Sequence, residues 1–125
     1  MRIVKQPRAL LLAAALLVAA SADARDDDAK LRCGWFHNPT PQNAWLVDRD
    51  GEWTLGVQGG PQADGDWPEF EPSQWVRTNN HHGYGCACLK LVADAGSHEV
   101  SRIISATAKP LRSCRSDRAL KQPAD

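Results

Sequence analysis

Beyond about position 32, apolar and polar residues alternate in short runs with a period near two, the pattern of strands that bury one face. CGWF (33–36) predicts a short strand and HNPTPQN (37–43) a proline-bearing loop. AWLVDRDGEWTLGV (44–57) predicts a hairpin, with Asp50 and Gly51 supplying left-handed turn positions between two apolar runs. QGGPQADGDWPEFEPSQ (58–74) is rich in glycine, proline and acids, and predicts a long loop pinned to the body by Trp67 and Phe70. WVR (75–77) predicts a strand, TNNHHG (78–83) a turn, and YGCACLKLVAD (84–94) the longest strand. AGSH (95–98) turns that strand into EVSRIISATA (99–108), which Pro110 ends. Five or six short antiparallel strands and no long helix make an all-β class, a small disulfide-stapled barrel or sandwich. The pattern fits both.

The first 24 residues differ in kind. Arg2, Lys5 and Arg8 precede an apolar run from Ala9 to Ala20, and Ala22 and Ala24 stand where a signal peptidase would cut. The run is shorter than the roughly 20 apolar residues that span a bilayer, so no stable membrane insertion of the mature chain is expected. Four segments follow: a signal peptide at 1–24, a flexible charged lead-in at 25–32, one β domain at 33–115 and a C-terminal tail at 116–125. A periplasmic or secreted location is the corresponding expectation.

Composition adds a constraint on how such a domain holds together. From Arg25 onward, Leu, Val, Ile and Phe make up only 16 of 101 residues, below the ~20% at which chains begin to look disordered. Five tryptophans compensate, each able to bury roughly 200 Å². Trp45, Trp53 and Trp75 are expected in the core, which leaves Trp67 and Phe70 as surface candidates. The formal charge of this part is −2, from 12 bases and 14 acids, which leaves no footprint for nucleic acid.

Cys33, Cys86, Cys88 and Cys114 are an even set in a chain read as exported, and so predict two disulfides. In a strand Cys86 and Cys88 share a face and cannot bond each other, so each takes a separate partner. Cys33–Cys86 with Cys88–Cys114 would close loops of 53 and 26 residues, worth about 4 and 3.5 kcal/mol in the chain-entropy account. The swapped pairing closes loops of nearly the same length. Entropy therefore does not choose, and the first pairing is preferred only by default.

Other chemistry is sparse. His81, His82, Cys86 and Cys88 form an alternative cluster suited to zinc or copper if the thiols are free. Asp48, Asp50, Asp64, Asp66 and Glu69 resemble pieces of calcium loops without the full ligand spacing. A pair of carboxylates could hydrolyse sugars only at the right separation. No nucleophile elbow, phosphate loop or paired-histidine zinc motif is present. No cofactor is expected, and the chain is read as a non-enzyme.

CGWFHNPTPQNAWLVDRDGEWTLGVQGG, DWPEF, QWVRTNNHHGYGCACLKL and SATAKPLRSC together resemble the small exported bacterial proteins of domain of unknown function family 4087. The resemblance runs from Cys33 to about Cys114. It implies export and a four-cysteine framework, and no substrate, cofactor or catalytic residue. The combined reading is an exported, non-catalytic binding or structural module of the envelope, such as a protein inhibitor or interaction domain. Its partner would be an envelope protein or glycan, contacted through Asp64, Asp66, Trp67 and Phe70. The alternative is a periplasmic metal-binding protein using the His/Cys cluster.

Overall fold

The computed structural model describes residue 3, residues 13–15 and residues 25–124. Most of the expected signal peptide, residues 1–24, therefore lies outside the described residues. No helix among those described is long and apolar enough to cross a membrane.

Six antiparallel strands form one sheet: β1 (Lys30–Thr40), β2 (Asn43–Asp48), β3 (Gly51–Gly56), β4 (Trp75–Asn79), β5 (His82–Ala93) and β6 (Val100–Lys109), followed by a short helix α1 (Leu111–Arg115). The class is all-β, as the alternation implies. β5 is the organising strand. One of its edges carries β1 from Gly83 to Leu91, and the other carries first β4 and then β6.

Between barrel and sandwich, the backbone chooses a rolled single sheet. Its far strand, β3, bends round to the β6 side, where the Thr54 N–H donates to the His98 carbonyl at 2.9 Å. Residues 62–64 of the long loop fill the rest of the seam. The Ala63 N–H donates to Leu55 and the Asp64 N–H to Ser101, while the Asp64 carbonyl accepts from Ile103. Gly65, at φ +103°, makes this possible, because a Cβ there would stand 2.2 Å from the Ile103 carbonyl oxygen.

The inner face holds Phe36, Ala44, Leu46, Trp53, Leu55, Ala87, Leu89, Leu91, Val100 and Ile103. Leu46, Leu55, Leu89 and Leu91 are fully buried, each worth about 1.5–3 kcal/mol against exposure. A second cluster lies on the outer face, where Trp35, Tyr84 and Cys86 are covered by Cys114 and Leu120. Trp35 rather than Trp45 or Trp75 is the deepest tryptophan; Trp53 is buried as expected, and the other two are half-buried.

Several boundaries differ from the expectation. β1 begins at Lys30, inside the expected lead-in, because Arg32 faces inward there and is paired. It also runs through Pro39, whose missing N–H is harmless: Pro39 lies past the last β5 partner and within a break in the β2 register. The hairpin between β2 and β3 is present, but only Gly51 has positive φ. Asp50 is instead held by its N–H, which donates to Asp48 Oδ1 at 2.8 Å. The C-terminal segment packs at Leu120, and Gln122 Nε2 donates to the Cys114 carbonyl.

The cysteine pairing is the swapped one: Cys33–Cys88 and Cys86–Cys114. Register is the reason. Cys33 and Cys88 are directly opposite across β1 and β5, with Cα atoms 4.0 Å apart. Cys86 faces Trp35 on one side and Lys109, at the end of β6, on the other. One turn further on, α1 brings Cys114 over it, at a Cα separation of 5.7 Å. The two bonds thus join β1 to β5 and α1 to β5.

Candidate functional site

At one end of the inner face the barrel is floored by an aromatic group. Phe36 of β1 has ring centres of Trp67, Phe70 and Trp75 at 5.7, 5.8 and 6.3 Å. Phe70 and Trp75 lie 4.8 Å apart. Trp75 is placed by β4, and its indole N–H donates to the His81 carbonyl at 2.9 Å. Trp67 and Phe70 come from the long loop. A single 3-10 turn, Pro72–Gln74, fixes the end of that loop, with the Glu71 N–H donating to Gln74 Oε1 and the Gln74 N–H to the Glu71 carbonyl. The loop can lie on β5 because Gly85 has no side chain. A Cβ there would meet Phe70 at 2.5 Å and the Gln74 carbonyl oxygen at 2.7 Å.

These rings line an open cavity of about 380 Å³, with Glu71 and Arg77 among its polar residues. Trp67 and Phe70 are half-buried, so each keeps an accessible part while packing on the core. Such a site offers apolar contact over a rigid base and charges of both signs at its edge. Aromatic residues in that setting carry binding energy well, since their rings lose little conformational entropy on contact.

Of the other two binding candidates, Asp64 contributes its main chain to the seam, and its side chain is exposed. Asp66 lines a different groove, on the β6 side of Trp67. The four residues named from sequence therefore divide: Trp67 and Phe70 come together, Asp66 adjoins Trp67 from the other side, and Asp64 stands apart in the seam, which it joins through its main chain.

The histidines near the cavity serve the turns. His82 Nδ1 is 3.2 Å from Asn38 Oδ1, and the Asn38 amide donates to the carbonyls of Thr40 and Asn43. The His81 and His82 rings are 4.1 Å apart. The metal alternative loses its ligands, because Cys86 and Cys88 are both in disulfides and no described cysteine is free. No group of three or more metal-ligating side chains gathers among the described residues. On the outer face His37 stacks on Trp45 at 5.6 Å, and burial lowers its pKa from the ordinary value.

A polar group at the other end of the inner face was not legible in the sequence. Asp48 is 6% exposed, and its oxygens accept from Arg32, from the Trp53 indole N–H and from the Asp50 N–H at 2.8–2.9 Å. Arg32 also reaches Asp50 at 2.9 Å and lies 3.7 Å over the Trp53 ring. His98 stacks on the same indole at 3.8 Å. Burial opposes the charge of Arg32, but the hydrogen bonds and negative charges of Asp48 and Asp50 outweigh it and raise the guanidinium's pKa. Every polar atom of the Asp48 carboxylate is engaged, so this cluster is a plug, and the cation a calcium reading would add is already supplied by Arg32.

A family model described as "Protein of unknown function (DUF4087)" matches residues 27–121, which takes in all six strands and α1. The chain belongs to the DUF4087 family. No curated protein and no solved structure matches the chain. The family match includes the aromatic cavity, the Asp48 plug and both disulfides, so all three lie within the DUF4087 domain.

Proposed function

We propose that this DUF4087 protein is an exported, non-catalytic binding module of the bacterial envelope, which holds a protein or glycan partner against the aromatic cavity. The observation that carries the reading is that a long loop, fixed at its end by a 3-10 turn, delivers Trp67 and Phe70 to an open cavity floored by Phe36 and Trp75. Two disulfides in a thin-cored domain favour an oxidising compartment. A rigid scaffold lowers the ordering cost of binding at a preformed site. The buried Asp48 carboxylate of the plug is consumed by internal bonds at both oxygens, which leaves it no part in acid–base chemistry.

The test is affinity capture from envelope extract with the oxidised domain beginning at Arg25. A partner held by the wild-type domain and lost with the W67A/F70A double variant supports the reading. Capture that is the same with both baits, or no partner with either, overturns it.

A further inference from the structure

β6 is covered on one side only. From Ser105 to Lys109 it pairs with β5 in unbroken register. Among the described residues, its opposite edge is paired by main chain only at the strand's beginning, through the bridge of Arg102 to Asp64. Ile104 is an extra residue in the β5 register, since Leu91 faces Ile103 and Lys90 faces Ser105. This bulge ends the seam and turns Ile104 outward, leaving it 39% exposed. Beyond it, among the described residues, no strand lies along Ser105–Ala108.

That edge is the wall of a groove of about 750 Å³, lined by six consecutive residues, Ile103 to Ala108. Side chains of a strand alternate between faces, so a groove touching every one in turn runs along the strand's edge. Six residues extend about 17–20 Å, the length of an ordinary strand. The stretch carries no charge and no proline, the usual devices that keep an edge from pairing. Facing it across the groove stand Asp66, Glu69 and Glu71, with no base in the lining. The nearest bases of β6 are at its ends, and Arg102 is paired with Asp26.

We propose that the β6 edge takes up an extended basic peptide segment of a partner protein as an added strand. The peptide's main chain would pair with Ser105–Ala108 and its Lys or Arg side chains would lie toward Asp66, Glu69 and Glu71. Main-chain bonds supply affinity in this mode and side chains supply choice. The carboxylates steer positive segments and exclude acidic ones. They also disfavour a second copy of this chain, which would bring two acidic loops to the same edge. The proposal rests on the binding-module reading and names the partner's class; Trp67 and Glu71 border both the groove and the cavity.

The test uses the oxidised, isotope-labelled domain from Arg25 and the probe acetyl-Lys-Val-Lys-Val-Lys-Val-amide. At saturation, amide exchange within Ser105–Ala108 should slow at least tenfold. The D66N/E69Q/E71Q variant should bind about tenfold more weakly, with a shallower dependence on salt. A probe N-methylated at alternate residues, unable to donate those main-chain bonds, should not bind. Equal binding of the N-methylated probe, or no slowing at β6 with saturating probe, overturns the proposal. Slowing at β6 that rises with protein concentration before probe is added also overturns it, in favour of self-pairing. Probe effects confined to the Trp67 and Trp75 indoles overturn the edge while leaving the cavity reading standing.

Discussion

Replacing Asp48 by alanine tests the plug most directly. The Asp48 side chain is 4% exposed and its Arg32 partner 15%, so the pair is nearly removed from water. Cutting one member of a buried, hydrogen-bonded pair costs about 3–5 kcal/mol, because the other charge is left uncompensated. Here Arg32 keeps Asp50, which returns part of that loss, while the Trp53 indole N–H loses its acceptor at about 1–3 kcal/mol. The two corrections roughly cancel, giving about 3–4 kcal/mol for D48A. Asp50 is a useful control, since it binds the same guanidinium at 2.9 Å but its side chain is 58% exposed. Its removal should cost under about 1 kcal/mol. Urea unfolding of the oxidised domain, followed by tryptophan fluorescence, measures both. For a domain of this size a loss of 3 kcal/mol lowers Tm by about 12–24 °C. If D48A costs less than 1 kcal/mol, or D50A costs as much as D48A, the plug does not hold the barrel end and the argument from burial fails.

Proteolytic mapping without reduction should yield Cys33 joined to Cys88 and Cys86 joined to Cys114; recovery of Cys33 with Cys86 would refute the register. The double variant C86A/C114A should lose about 2–4 kcal/mol in urea unfolding and give faster exchange at the Trp35 indole as α1 loosens over it. G85A places a Cβ against Phe70 and the Gln74 carbonyl, so it should cost about 1–3 kcal/mol and shift the Phe70 ring resonances; unchanged resonances would contradict the close approach. His37 has a lowered folded pKa, so the unfolded chain takes up its proton first. Its contribution is complete above the unfolded value near 6.5 and declines as pH falls below that. H37Q should therefore lose less stability than wild type between pH 7.5 and 5.5, and an equal loss would show that His37 is not the group responsible.

Much of the succession of strands along the chain could be read from local pattern, though not their order in the sheet. Residues 44–57 show a hairpin because their alternation is interrupted once, at Asp-Arg-Asp-Gly, and β5 and β6 are separated by a turn that Asp94 shapes by accepting from the Gly96 and Ser97 N–H groups. Trp67 and Phe70 stood out for the same reason, as apolar residues alone in a polar loop. What local pattern lacks is register. The cysteine pairing depends on Cys33 standing opposite Cys88, and the two alternatives differ by only two positions over a long loop. Arg32 was hidden differently: its charge reads as solvent-facing, and only Asp48, sixteen residues later on the neighbouring strand, makes its inward placement favourable. The seam at residues 62–64 was equally hidden, since it is main-chain pairing by a segment with no strand-like sequence.

The spacing of Cys86 and Cys88 bears on how the chain matures. Sliding β1 by two residues along β5 keeps every side chain on its own side of the sheet, and it sets Cys33 against Cys86 with no change in which faces are apolar. An oxidant arriving early can therefore trap a frame-shifted isomer that keeps its apolar face inward, and that leaves Cys88 to seek Cys114. Reshuffling by a thiol, rather than oxidation alone, becomes the step that selects the native isomer, so its yield on oxidation of the reduced chain should follow isomerase supply more closely than oxidant supply.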